Sequence, residues 1–307
     1  MTGAARQPIS ASYPTPEQID LPLTLAPLRH GATDPTIRLE REGAWLARQT
    51  SEGGATLHLW MEGAAGTIRA EAWGPGATLA LDAAPGLAGL LDDPKALEPV
   101  HPLVRELQRR FPGLRLPRTG QLVSALLPAI TEQKVTGGEA RAAYVAIVRR
   151  FGEPAPGPAG LTLTPAAARL AQLPYFEFHP LGLERRRAEL LTSVARRALD
   201  IEAMVALPPA EAMARLQTIR GIGAWTAAEA TRIAFGDPDA VSLGDAHLPD
   251  LVSWALAGEA RADDSRMLEL LAPYVGQRAR VIRLLEVSGI RIPRFGPRFA
   301  PRGIGRI

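Results

Sequence analysis

The hydrophobic and polar positions of the chain change their period once, near residue 95. Between residues 36 and 81, apolar and polar side chains alternate over several segments separated by glycine turns, which predicts an antiparallel β-sheet. From residue 96 to about residue 290, the apolar positions recur with a helical period. The pattern therefore predicts an α+β fold, in which a small N-terminal antiparallel β-sheet domain (residues 31–95) precedes a mostly α-helical domain (residues 96–290).

Residues 1–30 and 291–307 lie outside these two patterns. The first segment is rich in Pro, Ser and Thr and shows no sustained period, so we expect a leader that packs loosely. The last segment carries five arginines and no acidic residue, spaced by Pro and Gly, and cannot form a packed helix. It has the character of an extended basic arm able to track a nucleic-acid backbone, with a disordered, solvated tail as the alternative.

Three tryptophans, Trp45, Trp60 and Trp73, fall within the predicted strands. Aromatic rings on a sheet could stack on nucleic-acid bases, but tryptophan at strand spacing is more often part of a core. We therefore interpret these residues as core.

The composition limits the class of protein. The 307 residues suffice for two or three domains, and 46% hydrophobic with 22% charged residues is typical of a globular protein. No apolar run of about 18 residues is present and the first residues are polar, so neither membrane insertion nor secretion is indicated, and we expect a cytoplasmic, nucleoid-associated protein. The absence of cysteine excludes disulfides, thiolate zinc sites and a cysteine-held iron–sulfur cluster. The five scattered histidines indicate no metal site.

The basic residues are almost all arginine. Lys95 and Lys134 are the only lysines among 35 basic residues, which leaves 33 arginines and a net charge of +3. Arginine suits phosphate because its guanidinium binds two oxygens at once and stays charged. A GC-rich coding bias would explain the same count, since alanine, glycine and proline are also abundant.

The segment Leu216–Ala227 predicts a helix-hairpin-helix. Gly221 and Gly223 can take backbone angles that a Cβ would forbid, and they leave N–H groups open at the start of the next helix, where an anion fits. Ile219 and Ile222 would anchor the turn between the two helices. We expect a DNA phosphate to bind here, with Arg220, Gly221, Ile222, Gly223 and Thr226 as the contacting residues.

Asp245 lies 20 residues after Trp225, where the next helix should begin. A carboxylate beside clamped DNA can stabilise the positive charge that develops on a sugar when a base leaves, and can orient or deprotonate the attacking water. The simpler interpretation is an N-cap of that helix, because Asp is a favoured cap residue.

Two motifs together, Ile219-Arg-Gly-Ile-Gly-Ala-Trp-Thr-Ala227 and Gly244-Asp-Ala-His-Leu248, resemble the signature of the helix-hairpin-helix DNA glycosylases. The tryptophan is similar to that of the bacterial 3-methyladenine DNA glycosylase II branch. The resemblance covers residues 98 to 290, and it implies that Gln133 lies near the DNA gap and that Lys134 occupies the position that wedges into the duplex. A small sheet precedes the helices in that branch, in agreement with the alternating pattern.

The resemblance also implies a mechanism. Members that cut the DNA backbone use a lysine where this chain has Trp225, so we expect a monofunctional enzyme that releases a base with water and leaves the abasic site uncut. Asp245 would be catalytic. Trp225 and Tyr274 would form the pocket of a flipped, alkylated purine, whose positive charge an aromatic ring attracts.

Other interpretations stay open at this stage. The same hairpin could serve a glycosylase for oxidised or deaminated bases, or a non-catalytic protein that binds damaged DNA. We expect damaged double-stranded DNA as the partner, no membrane, no obligate protein partner and no cofactor. The hairpin carbonyls could still share a cation with the DNA phosphate.

Overall fold

The computed structural model describes residues 7–15, 17–63 and 66–293, so all but the start of the predicted basic arm at residues 291–307 lies outside the described residues. The N-terminal part forms an antiparallel sheet with the strand order β1-β5-β4-β3-β2. Its strands are β1 (Ile9–Pro14), β2 (Ile37–Leu39), β3 (Gly43–Thr50), β4 (Gly53–Glu62) and β5 (Thr67–Trp73).

One face of the sheet packs against two helices, α1 (Leu21–Leu25) and α2 (Ala77–Leu87). The alternation of the strands places Leu57, Leu59 and Ile68 on this face, where all three are fully buried. The sheet predicted from the period of two is therefore confirmed, and its apolar face forms a core of its own.

The opposite face carries the aromatic side chains. The rings of Trp45 and His58 stack at 3.8 Å between centroids, and Trp60 stacks on the other side of His58 at 4.6 Å. Trp73 is buried, whereas Trp45 and Trp60 are only half-buried. The core interpretation thus holds for Trp73, which also stacks on Trp45 at 5.4 Å between centroids. Trp45 and Trp60 flank His58 on this outer face and stay partly exposed.

The prediction that residues 1–30 form a loosely packed leader is wrong for the described part of that segment. Strand β1 pairs with β5 along its whole length, from Ile9 opposite Ala72 to Pro14 opposite Thr67. The hydroxyl of Tyr13 donates a hydrogen bond to the carbonyl of Leu81 at 2.8 Å. An edge strand this short has too few residues to show a clear period, so its pairing depends on the rest of the sheet.

The rest of the described chain is helical, as the change of period near residue 95 predicts. Its helices are α3 (Pro102–Arg110), α4 (Leu122–Thr131), α5 (Gly137–Phe151), α6 (Ala167–Leu170), α7 (Arg185–Arg196), α8 (Ala198–Ala203), α9 (Pro209–Gln217), α10 (Ala224–Phe235), α11 (Leu248–Ala257), α12 (Asp264–Leu271) and α13 (Arg278–Val287). In residues 7–15, 17–63 and 66–293, no helix combines the length and the apolar character that crossing a bilayer requires.

The helices form two lobes with separate cores. The first lobe packs α4, α5 and α7 to α10 around side chains such as Leu126, Ile147 and Phe178. The second lobe joins α3 to α11, α12 and α13, with Val104, Val252 and Leu271 in its core. Because α10 belongs to one lobe and α11 to the other, the connection between them crosses from lobe to lobe.

Candidate active site

The predicted hairpin joins α9 to α10 through residues 218–223. The turn is closed by a hydrogen bond from the N–H of Ile222 to the carbonyl of Ile219 at 2.9 Å. Both isoleucines are 3% exposed and belong to the core of the first lobe, which confirms that they anchor the turn. Gly221 has a φ of 100°, a left-handed conformation that is strained for any residue with a Cβ.

The start of α10 is open. Within the described residues no side chain caps this helix end, so its first N–H groups are left for an outside acceptor. A Cβ built on Gly223 would meet nothing within 4 Å, and the side chain of Arg220 is exposed beside it. A helix end of this kind, with a flexible guanidinium next to it, can hold an anion. Since the side chain of Ile222 is buried, only its main chain could contribute.

Gln133 ties the end of α4 to the hairpin. Its Nε2 donates to the carbonyl of Gly221 at 3.1 Å and to Oγ1 of Thr226 at 2.8 Å. The expectation that the Thr226 side chain contacts DNA is therefore corrected. This side chain is 3% exposed because α4 packs on α10, and its hydroxyl already accepts a hydrogen bond from Gln133.

Lys134 follows at the turn between α4 and α5. Among the described residues it is the one non-glycine residue with a positive φ, at 54°. Its side chain is exposed. A lysine held in the left-handed region costs about 1 to 2 kcal/mol, and such strain is common at functional sites.

Trp225 and Asp245 meet between the two lobes. The indole Nε1 of Trp225, in the first turn of α10, donates to Oδ2 of Asp245 at 2.9 Å. The other carboxylate oxygen, Oδ1, accepts from the N–H groups of His247 at 2.7 Å and Leu248 at 2.9 Å, at the start of α11. The carboxylate therefore binds N–H groups at the start of α11, although the N-cap residue of this helix is His247 and not Asp245. Its other oxygen contacts the first turn of α10, and its catalytic role stays a prediction.

A carboxyl that the sequence did not single out is close enough to Asp245 to feel its charge. Glu132 directly precedes Gln133, and its side chain is 35% exposed, with Oε1 3.9 Å from Nδ1 of His30. Burial, together with the negative charge of Glu229 and a smaller contribution from Asp245, raises the pKa of Glu132 to about 7. A carboxyl that titrates near neutral pH in a cleft is a functional candidate.

The surroundings of Glu132 come from distant parts of the chain. Glu229 pairs with Arg232 at 2.6 Å and accepts from the hydroxyl of Ser242 at 2.5 Å. Burial lowers the pKa of His30, which keeps its imidazole neutral at neutral pH. In the sequence, Glu132 occupies an ordinary helix end and His30 closes a segment without a period, so no local signal marks either residue. Within the described residues, no group of three or more His, Cys, Asp or Glu side chains could hold a metal ion.

Tyr274 does not take the predicted place in a pocket. It is 4% exposed in the core of the second lobe, where its hydroxyl accepts a hydrogen bond from the N–H of His101 at 2.8 Å. A ring that is packed on both faces cannot form the wall of a binding pocket, so this prediction is wrong. The residue follows a proline in a short helical turn, a position that gives no sign of burial in the sequence.

Arg187 of α7 is also buried. It is 2% exposed, and its Nη1 donates to the carbonyl of Thr131 at 2.7 Å. Arg187 thus stabilises the end of α4, just before Glu132, Gln133 and Lys134, and it does not reach the surface.

Comparison with known proteins gives matches in structure only. No family model and no curated protein matches the sequence. A 3-methyladenine DNA glycosylase from Archaeoglobus fulgidus aligns with a TM-score of 0.74 at 19% identity, over 90% of this chain and 97% of that one. An 8-oxoguanine glycosylase/lyase from Clostridium acetobutylicum, in complex with DNA, aligns with a TM-score of 0.60 at 12% identity, over 81% of this chain and 96% of that one.

A third similar structure is the 3-methyladenine DNA glycosylase Mag1 from Schizosaccharomyces pombe, in complex with abasic DNA. It aligns with a TM-score of 0.53 at 16% identity, over 66% of this chain and 98% of that one. The alignment with the Archaeoglobus fulgidus protein covers 90% of this chain and therefore includes the sheet as well as the two helical lobes. The chain therefore has the fold of the helix-hairpin-helix DNA glycosylases.

Proposed function

We propose that this protein is a monofunctional DNA glycosylase that excises alkylated purines, of the 3-methyladenine type, from double-stranded DNA. The observation that carries the proposal is the hydrogen bond between Trp225 and Asp245. Trp225 lies two residues after Gly223, the last residue of the open glycine hairpin. This contact occurs in a fold shared with proteins that are named as DNA glycosylases. The contact places a carboxylate beside the helix whose open N-terminal end can bind an anion.

In this proposal the hairpin holds the DNA backbone. The open N–H groups at the start of α10 and the exposed Arg220 bind a phosphate near the damaged nucleotide. Gln133 keeps the hairpin and the end of α4 together, and Lys134 projects from that end into the space left by the flipped base. A lysine stem can fill this space while its ammonium binds a phosphate.

Asp245 then acts on the sugar. As the bond between C1′ of the sugar and the base nitrogen breaks, the electron pair leaves with the base and positive charge develops on the sugar, where a fixed carboxylate stabilises it. Water adds to C1′, and Asp245 orients this water and takes up its proton. An alkylated purine carries a positive charge and leaves readily, and the half-buried ring of Trp225 offers it a cation–π contact.

The chain lacks the amine that a backbone-cutting enzyme of this fold would use at the hairpin. Trp225 stands at that position. Lys95 forms an ion pair with Glu17 in the N-terminal part, and Lys134 lies outside the hairpin, between α4 and α5. A Schiff base at the hairpin is therefore not available. We infer that the product is an abasic site in an intact strand.

One observation favours a second candidate, a glycosylase for oxidised or deaminated bases. With Tyr274 in the core, the aromatic pocket wall rests on Trp225. The polar side chains of Glu132 and His30 lie 3.9 Å apart, and Glu132 is close enough to Asp245 to feel its charge. Polar groups of this kind could recognise a neutral base through hydrogen bonds.

A panel of duplexes that each contain one lesion tests the proposal. We expect release of 3-methyladenine or 7-methylguanine, an intact strand until alkali treatment, and no covalent complex after borohydride reduction. Asp245→Asn should retain affinity for the duplex and lose at least about 100-fold in rate, because the asparagine oxygen can still accept the N–H groups of His247 and Leu248 but carries no charge. The exposed Asp200→Asn is the matched control.

The results separate the candidates. Release of an oxidised or deaminated base in place of the methylated purines would favour the second candidate. Binding of every lesion duplex without release of any base would refute the glycosylase function and leave a protein that binds damaged DNA.

A further inference from the structure

Asp245 is held at both of its carboxylate oxygens, by donors from different lobes. Oδ1 accepts two main-chain N–H groups of the second lobe, from His247 and Leu248. Oδ2 accepts the indole N–H of Trp225, which belongs to the first lobe. The two main-chain donors fix the position of Oδ1 but leave the carboxylate free to rotate about it. The indole fixes the second oxygen and, with it, the plane of the carboxylate.

The indole is chemically suited to this task. It has one N–H and no acceptor, so it can only donate, and it is neutral at every pH of interest. A lysine or arginine at position 225 would form an ion pair with Asp245 and cancel the negative charge that the carboxylate must offer to the sugar. A neutral donor orients the carboxylate and leaves its charge in place.

The position of Trp225 in the chain adds a mechanical consequence. The residue lies in the first turn of α10, two residues after Gly223, and it therefore moves with the hairpin. Gln133 fastens the same hairpin to α4 through Gly221 and Thr226. The hydrogen bond from Trp225 to Asp245 thus joins the helix end that would hold the phosphate to the carboxylate that would act on the sugar.

We propose that Trp225 is a positioning residue whose indole N–H fixes the plane of the Asp245 carboxylate and aligns it with the DNA held by the hairpin. This inference rests on the proposed glycosylase function. It assigns to Trp225 a role through its N–H edge that is separate from any stacking of its ring on the base.

The substitution Trp225→Phe separates the two roles, because phenylalanine keeps an aromatic face and removes the donor. We expect kcat for base release to fall about 10- to 100-fold, as for the loss of a hydrogen bond to a charged group, with KM within about 2-fold of the wild type. Trp254 on α11 is also half-buried, and Trp254→Phe is the matched control, which should retain the wild-type kcat.

A double-mutant cycle shows whether Trp225 acts through Asp245. In the Asp245→Asn background, Trp225→Phe should lower the remaining rate by less than about 2-fold, because the group that it positions is already disabled. In NMR spectra of the isotope-labelled protein, the indole N–H resonance of Trp225 is identified as the one that Trp225→Phe removes. This resonance should move upfield in Asp245→Asn. The resonances of the other four tryptophans should stay in place.

Each result has a defined meaning. A folded Trp225→Phe variant with wild-type kcat, an equal loss in both backgrounds, or an indole resonance unaffected by Asp245→Asn would overturn the inference while the glycosylase function stands. If the wild-type protein releases no base from any lesion duplex, the proposed function fails and the inference fails with it.

Discussion

Replacement of Glu132 by glutamine should stabilise the protein at alkaline pH and leave its stability almost unchanged in acid. The carboxyl faces charged or titratable groups from four parts of the chain: His30 between α1 and β2, Arg141 from α5, Glu229 and Arg232 from α10, and Asp245 from the lobe connection. Burial and the two carboxylates disfavour its charged form, and the arginines only partly compensate. The folded protein therefore binds this proton more tightly than the unfolded chain does.

The sign and size of the effect follow from the two pKa values. Between the ordinary value of 4.5 and the folded value of about 7, the folded state holds more protons than the unfolded state, so stability falls as the pH rises through this window. The difference of 2.5, at about 1.36 kcal/mol for each pKa unit, gives an upper limit of about 3.4 kcal/mol. Because the side chain is 35% exposed, solvent screening reduces the expected effect to about 1 to 2 kcal/mol.

Chemical unfolding of the wild type and of Glu132→Gln at several pH values measures the effect. At pH about 8 we expect the variant to be more stable by about 1 to 2 kcal/mol, and at pH about 5 by about a quarter of that, since most of the difference develops above that pH. Glu106→Gln, an exposed position on α3, is the control and should show no such trend. A constant difference between pH 5 and 8, or a variant less stable at pH 8, would refute the electrostatic reasoning.

Three further predictions concern the hairpin and the wedge. Gly223→Ala should keep the stability of the wild type, because its Cβ meets nothing within 4 Å, and should weaken DNA binding, because that space is where a phosphate would lie. Gly221→Ala should cost about 1 to 3 kcal/mol in unfolding experiments, since φ is 100° and its Cβ would lie 3.1 Å from Leu190 Cδ1. Equal DNA affinity of Gly223→Ala and the wild type would argue against a phosphate at this helix end. Lys134→Gly should relieve the left-handed strain and stabilise the protein by up to about 1 kcal/mol while slowing base release from duplex DNA. An unchanged release rate would show that Lys134 is not the wedge.

The features that could be predicted from the sequence are those encoded by neighbouring residues. The period of two placed Leu57 and Leu59 on one face of a sheet, and the change to a helical period located the start of the helical part near residue 95. The hairpin was also readable, since Gly221 takes the positive φ that favours glycine and Ile222 is buried under the turn. Local backbone preference and the alternation of apolar residues determine these features within about ten residues of chain.

The features that only the tertiary structure decided depend on contacts between distant residues. A strand from the supposed leader pairs with β5, and Tyr274 lies in a core where its hydroxyl bonds to His101, 173 residues away in sequence. Glu132 resembles any solvated glutamate until folding buries it and brings Glu229 and Asp245 close, and burial and these two charges raise its pKa. Burial and charge at a site are set by the segments that the packing brings together. The pattern of the sequence shows which face of a helix or strand is buried, but it does not identify the residues that this face contacts.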